Sequence, residues 1–145
     1  MPKKKHTLTW WKKKAWSKFS RYVRLRDAIA TTGTRDKVVC FTCGKIYPAF
    51  GQGCVQAGHY CPGRSHAVLL EEHGVNAQCY NCNVNLKGNT IIYRKRMLEK
   101  YGEEETKRIE ERFFDRTFKY MASDFEELCD KFDMMFKKLE ETHGT

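Results

Sequence analysis

The chain has 145 residues, with 27 basic and 18 acidic side chains and a formal net charge of +9. This length is enough for one domain with a modest core, and the excess of positive charge indicates a polyanionic partner. No run approaches the ~18–20 apolar residues of a membrane span, and no apolar signal-peptide region follows the lysine-rich start. We therefore expect a cytoplasmic protein with no membrane contact.

The positive charge is concentrated at the N-terminus. Residues 1–26 contain ten lysines and arginines and no acid, which leaves the remaining residues with a net charge of −1. Apolar residues at helical spacing predict a helix over residues 9–30. Its cations are candidate phosphate ligands and its tryptophans could stack on bases, although the tryptophans could equally be buried in the core. The candidate DNA-binding residues here are Lys12, Lys13, Lys14, Lys18, Arg21 and Arg24.

Two cysteine pairs dominate the middle of the chain. Cys40 and Cys43 form one C-x2-C pair, and Cys79 and Cys82 form the other. Two such pairs in a chain without a secretory signal favour a tetrahedral zinc site over disulfides. Four thiolates leave no open position for a substrate. The zinc is therefore predicted to be structural, and any hydrolytic chemistry needs a second metal.

The residues around the second pair carry the candidate chemistry. His59 lies on a predicted strand over residues 55–60, and residues 68–70 are the candidate second strand of a hairpin. An imidazole titrates near neutral pH and could deprotonate water, although a histidine on a strand is often structural. Asn83 directly follows the last cysteine and could bind Mg²⁺ or Mn²⁺, or cap a helix. Asn85 and His66 are alternative ligands, and Arg64 and Lys87 are candidate phosphate contacts.

The C-terminal third is predicted to be helical over residues 91–101, 103–120 and 123–141. Residues 102–145 have a net charge of −5, which makes this region an improbable DNA surface. An apolar stripe on the last helix predicts a packing or dimerisation element. The stripe comprises Phe125, Leu128, Cys129, Phe132, Met135, Phe136 and Leu139.

Taken together, the spacing of these motifs resembles one nuclease family. The similarity covers residues 10–105 and includes both cysteine pairs, Ala57–Tyr60, Val75–Asn83, the Gly88-Asn89 pair and Tyr93. These features are similar to the lambdoid phage NinG (Rap) recombination endonucleases. The resemblance implies an α+β fold in which a small zinc-stapled ββα-metal core, of the His-Me finger or HNH type, is embedded among helices. It also implies cleavage of branched DNA such as Holliday junctions with Mg²⁺ or Mn²⁺, by a protein that is encoded by a phage or prophage and acts in the cytoplasm of the bacterial host cell.

Phage endonuclease VII has a similar zinc-stapled plan. Its metal-binding asparagine corresponds by position to Asn83, and its general base corresponds to His59. Two positions depart from the pattern: Gly58 stands where many such nucleases have Asp, and Gly74 stands at the usual position of the middle asparagine. Asn76 is the candidate replacement for that catalytic asparagine. The second ligand of the catalytic cation is left open.

We predict a single domain over residues 1–145. Residues 1–30 form a basic DNA-binding segment, residues 36–101 the nuclease core, and residues 102–145 the C-terminal helices. A symmetric junction-cleaving enzyme needs two active sites, so we expect a homodimer. Two alternatives are an HNH nicking or restriction-type endonuclease acting on ordinary duplex, and a non-catalytic zinc-ribbon module that binds nucleic acid.

Overall fold

A long N-terminal helix and two small hairpins organise the fold. The structure, a computed structural model, describes residues 5–62 and 65–143. The elements in chain order are α1 (Leu8–Thr32), β1 (Lys37–Val39), β2 (Ile46–Pro48), β3 (Gln56–His59), α2 (His66–Leu69), a 3-10 turn (Glu72–Gly74), β4 (Val75–Gln78), a π-helical turn (Asn81–Asn85), α3 (Thr90–Phe113) and α4 (Ala122–His143). The predicted α+β class is confirmed.

Helix α1 follows the predicted pattern closely. Thr7 caps its start, because the Thr7 hydroxyl accepts a hydrogen bond from the Trp10 amide at 3.2 Å. Its end is set by Gly33 in the left-handed conformation, with φ of 71°. Ala15 and Phe19 are completely buried along one face. The helix predicted over residues 9–30 is therefore confirmed.

The strands form two separate antiparallel hairpins. In the first, Val38 of β1 lies opposite Tyr47 of β2. In the second, Gly58 of β3 lies opposite Asn76 of β4, and a helical segment follows β4 directly. All four residues of β4 are buried, which makes it the central strand of the molecule.

The predicted hairpin strand at residues 68–70 is wrong. Residues 66–69 form the short helix α2, and the strand that pairs with β3 is β4. Leu69 of α2 packs with Ala15 of α1 and Phe125 of α4. A three-residue apolar run fits a buried helical turn as well as a strand, and here tertiary packing decides between them.

The C-terminal helices cover the rest of the core. Helix α3 continues through a kink at Gly102, where φ is 87°, and ends at Phe113, before the predicted end at residue 120. The buried residues of α4 are Phe125, Cys129 and Phe132, and α4 packs along α1. Its apolar stripe is thus used within the chain, and a homodimer, which stays a prediction, would need other surfaces. No helix within the described ranges is both long and apolar enough to cross a membrane.

Candidate functional site

The four predicted zinc ligands converge at one point. Cys40 and Cys43 lie in the turn between β1 and β2, Cys79 directly follows β4, and Cys82 lies in the π-helical turn after it. Their sulfur atoms all lie within 4.8 Å of one another, and the Cys43 and Cys79 sulfurs are 3.9 Å apart. Zn–S bonds of about 2.3 Å in a tetrahedron place sulfurs about 3.8 Å apart. The cluster therefore fits a structural zinc ion.

Hydrogen bonds to the sulfurs support the same assignment. The backbone amide of Cys79 donates to the Cys40 sulfur at 3.3 Å, and that of Cys82 donates to the Cys79 sulfur at 3.4 Å. Burial opposes ionisation of Cys40, but hydrogen bonds from Thr42 and backbone amides outweigh it and lower the pKa of its thiol. Burial and the neighbouring cysteines raise the pKa of Cys43. Four thiolates this close need a cation to offset their mutual repulsion.

A cleft of about 750 Å³ lies beside this cluster, between α1, β3 and the π-helical turn. It brings together four of the residues singled out from the sequence: His59, Asn83, Arg24 and Lys87. Among the described residues that line it, none is acidic. The cleft is therefore polar and positively charged, as expected of a surface that receives a phosphodiester.

His59 is held on two sides within this cleft. Its Nε2 lies 3.0 Å from the carbonyl oxygen of Leu69, which can only accept a hydrogen bond. The proton is therefore on Nε2, and in the neutral ring the lone pair is on Nδ1. The indole of Trp16 stacks on the imidazole, with ring centroids 4.8 Å apart and planes inclined by 16°. This is the tautomer and the fixed orientation that a general base requires.

Asn83 lies on the π-helical turn that also carries Cys82, a type of turn often found at functional sites. Its Nδ2 donates to Oε1 of Gln56 at 2.7 Å, which turns its own oxygen towards Gly58. A Cβ atom at position 58 would lie 3.0 Å from that Oδ1. Asn83 is therefore held in one orientation at the edge of β3.

Arg26 and Asp27 form a salt bridge with each other on α1, and their hydrogen bonds to the backbone of β4 attach α1 to that strand. The Asp27 carboxylate accepts a hydrogen bond from the Ala77 amide at 2.8 Å, and Arg26 donates to the Val75 carbonyl at 2.8 Å. Because α1 is fixed to β4 in this way, Trp16 and Arg24 are held over the cleft.

The predicted DNA-binding cations fall into two groups. Arg24 lines the cleft two helical turns from Trp16, and Lys87 lines the same cleft. Lys18 and Arg21 instead contact Asp133 of α4, each at 3.1 Å. Outside the cleft, Lys14 lies over the indole rings of Trp10 and Trp11, and Lys12 and Lys13 lie one turn before Trp16 on α1. Arg64 lies outside the described residues.

Three other predicted site residues lie away from the cleft. Asn76 is completely buried on β4, where its Nδ2 donates to the Tyr93 hydroxyl at 3.1 Å. The Nδ1 of His66 accepts the Tyr120 amide at 2.9 Å. Asn85 is exposed and donates to Asn81. Asn76 therefore lies in the interior of the described fold and does not line the cleft, and its part in catalysis stays a prediction. Neither alternative cation ligand, His66 or Asn85, lines the cleft.

Two glutamines beside the cleft were not predicted. Gln56 orients Asn83, and the fully buried Gln78 directs its Oε1 at Gly58. Their alternation with Ala57 on β3 and Ala77 on β4 is the only signal that the sequence offers. Glutamine within a short strand is otherwise typical of a solvent-exposed position, and its burial here depends on the pairing of β3 with β4.

Comparisons with known proteins agree on one family. The model of the family described as "Bacteriophage Lambda NinG protein" matches residues 2–142. Protein ninG of Escherichia phage 933W and that of Escherichia phage lambda are each 28% identical over 103 residues, which is 70% of this chain and 45% of the relative. Protein ninG of Salmonella phage P22 is 28% identical over 95 residues, covering 65% of this chain and 41% of the relative.

The chain thus aligns with less than half the length of these curated relatives. No solved structure matches it. The family match, in contrast, extends over nearly all of the chain, including both cysteine pairs, His59 and Asn83. The chain belongs to the family of the bacteriophage lambda NinG protein.

Proposed function

We propose that this protein is a metal-dependent endonuclease that cleaves branched DNA, such as a Holliday junction. One observation carries the proposal: His59 and Asn83, brought from separate elements, line the same positively charged cleft next to the four-cysteine cluster. The order of β3, β4 and the following helical segment matches the arrangement expected of a His-Me finger core.

His59 would act as the general base. With its proton on Nε2 and donated to the Leu69 carbonyl, Nδ1 of the neutral ring is the atom that accepts a proton from water. Stacking on Trp16 keeps the ring from rotating, so the base stays aligned throughout the reaction. The deprotonated water would then attack the phosphorus of the bound phosphodiester.

Asn83 would hold the catalytic Mg²⁺ or Mn²⁺, since hard cations accept amide oxygens. When bound, such an ion neutralises negative charge that develops on the phosphate and the leaving 3′ oxygen. Arg24 and Lys87, which line the same cleft, would hold the phosphate against His59. The zinc ion would fix the turn that carries Asn83.

The preference for branched DNA is inferred from the resemblance to recombination endonucleases and from membership of the NinG family. A homodimer, with one active site for each of two opposed strands, belongs to the same proposal. The absence of an acidic residue among the described residues that line the cleft favours a second candidate, a module that binds nucleic acid without cutting it.

The decisive experiment compares an immobile four-way junction with a linear duplex of the same sequence, in Mg²⁺, Mn²⁺ or EDTA. We expect cuts in the junction that EDTA abolishes and that His59→Ala reduces by at least about 10²-fold, the contribution of a general base. Equal cutting of both substrates would instead identify a general HNH endonuclease. Binding without cutting in either metal would identify the non-catalytic module.

His73→Ala is a matched control for the loss of a histidine. His73 is exposed, lies outside the cleft and contacts Glu105 of α3. It should retain the cleavage rate of the wild-type protein. Circular dichroism and zinc content of each variant separate the loss of a catalytic group from the loss of the fold.

A further inference from the structure

Position 58 requires glycine because of the space around it and not because of its backbone conformation. Its φ is not positive, so any residue could adopt this backbone. A Cβ atom here, however, would lie 2.0 Å from Oε1 of Gln78 and 3.0 Å from Oδ1 of Asn83. The two amide oxygens thus occupy the place that a side chain at position 58 would take. We call this place the Gly58 notch.

The orientation of the Gln78 amide is fixed. Its Nε2 donates to the Gly88 carbonyl at 3.0 Å and to the Thr42 hydroxyl at 3.2 Å. Because a carbonyl oxygen can only accept, exchange of the amide nitrogen and oxygen would place two acceptors against each other. Oε1 therefore points into the Gly58 notch. It is fully buried and has no hydrogen-bond partner among the described residues.

A buried acceptor without a partner is unfavourable, and in native proteins it often marks the position of an unseen ion or water. The second oxygen at the notch belongs to Asn83, which also lines the cleft with His59. A Cβ atom at position 58 would lie 2.0 Å from one oxygen and 3.0 Å from the other, so both oxygens are directed at the same point beside β3.

We propose that Oε1 of Gln78 and Oδ1 of Asn83 together bind the divalent cation, and that Gln78 takes the place of the carboxylate missing at position 58. The inference rests on the proposed function, because the ion serves the same cleft. Two neutral amides attract a cation less strongly than a carboxylate does. The remaining ligands must be waters and the DNA phosphate, as is common for Mg²⁺.

The test measures Mn²⁺ binding directly, by electron paramagnetic resonance of the free ion, without DNA. Gln78→Glu places a carboxylate oxygen at the notch and should tighten Mn²⁺ binding by at least about tenfold. The double variant Gln78→Glu/Asn83→Ala should lose most of that gain. Unchanged Mn²⁺ binding by a folded Gln78→Glu protein, or a gain that persists without Asn83, would overturn the proposal.

Gln78→Glu also removes the donor to the Gly88 carbonyl, so its fold could be weakened. Its melting temperature should then rise on addition of Mn²⁺ by more than that of the wild type, because ligand binding stabilises the folded state. If Gln78→Glu does not fold, Gly58→Asp/Gln78→Ala moves the oxygen to position 58 and vacates the clashing space. It should bind Mn²⁺ at least as tightly as the wild type, and weaker binding would overturn the proposal.

A separate cleavage assay distinguishes the failure of this inference from that of the proposed function. If Gln78→Glu gains Mn²⁺ affinity through Asn83 but no variant cuts DNA, the ligand assignment holds and the nuclease proposal fails. If the wild type cuts and a folded Gln78→Met requires no more Mn²⁺ for half-maximal cutting, the nuclease proposal holds and Gln78 is not a ligand.

Discussion

Gly58→Ala tests whether the amides of Gln78 and Asn83 fill the Gly58 notch. The added Cβ would meet the Gln78 oxygen at 2.0 Å, so the Gln78 side chain would have to move. Moving it breaks hydrogen bonds to Thr42 and Gly88, each contributing about 1 kcal/mol, and adds an overpacking cost of about 1–3 kcal/mol. A gain of about 0.4–1 kcal/mol from the stiffer unfolded chain offsets part of this.

We therefore expect the free energy of unfolding to fall by about 2–4 kcal/mol. For a chain of this size, about 3 °C per kcal/mol predicts a melting temperature lowered by about 6–12 °C. The assay is thermal and urea unfolding in zinc-containing buffer, followed by circular dichroism. Gly74→Ala is the matched control, because the atom nearest to its Cβ would be an Ile109 carbon at 3.2 Å and not an oxygen at 2.0 Å. Its destabilisation should be smaller.

The double variant Gly58→Ala/Gln78→Ala makes the test specific. Gln78→Ala leaves the Gly88 carbonyl without its side-chain donor and should itself cost about 2–3 kcal/mol. Once the glutamine is gone, the new methyl group no longer clashes, so the double variant should be more stable than the sum of the single effects by about 1–2 kcal/mol. Additive effects, or a Gly58→Ala protein as stable as the wild type, would refute this description of the notch.

Three further predictions concern DNA binding, zinc and pH. Arg24→Ala should weaken DNA binding and lower the slope of log affinity against log salt concentration by about 1. Lys18→Ala should change the affinity and the slope less, since Lys18 is paired with Asp133. DNA-binding titrations at several salt concentrations measure both quantities. Cys79→Ser, or chelation of zinc, should abolish cooperative unfolding, because the four cysteines could no longer hold the ion. Measurement of the zinc content and thermal melting curves check this. Burial, with repulsion from Lys12 and Lys119, lowers the pKa of His66 below 6.5. Below pH 6.5 the His66 side chain therefore binds a proton more readily in the unfolded chain than in the folded one, so the free energy of unfolding should fall as the pH decreases. The stability of the His66→Gln protein should fall less over the same range, as measured by melting experiments at several pH values.

The zinc cluster and helix α1 were predictable because their signals are local. The spacing of Cys40 and Cys43 fits one turn, and the apolar residues of α1 repeat at the helical period. Strand pairing was not predictable in this way. The run at residues 68–70 looked like the partner of β3, but the partner is β4, whose identity depends on contacts with α1 and α3 made only in the folded chain.

The same limit applies to the site. His59, Asn83, Arg24 and Lys87 were identified from residue type and position, and the fold brings them into one cleft. Asn76 was assigned to catalysis because it lies near the expected asparagine in sequence. In the folded chain β4 buries it against Tyr93. The spacing of residues along the chain identifies residue types suited to a reaction, but not that both faces of the strand carrying one of them are buried.

The neutral charge of the two amide oxygens at the Gly58 notch bears on how cutting would be confined to DNA. With amide oxygens as its protein ligands, the notch would bind a free cation weakly, and a phosphate held by Arg24 and Lys87 would supply the missing negative charge. Binding of cation and DNA must then strengthen each other by the same factor. We expect the Mn²⁺ affinity of the protein to increase at least about tenfold when an uncleavable junction is bound, measured by the resonance of free Mn²⁺ after subtraction of binding to DNA alone. Equal Mn²⁺ affinity with and without the junction would show that the cation needs no phosphate. A DNA phosphate would then not explain why the described residues of the cleft include no carboxylate.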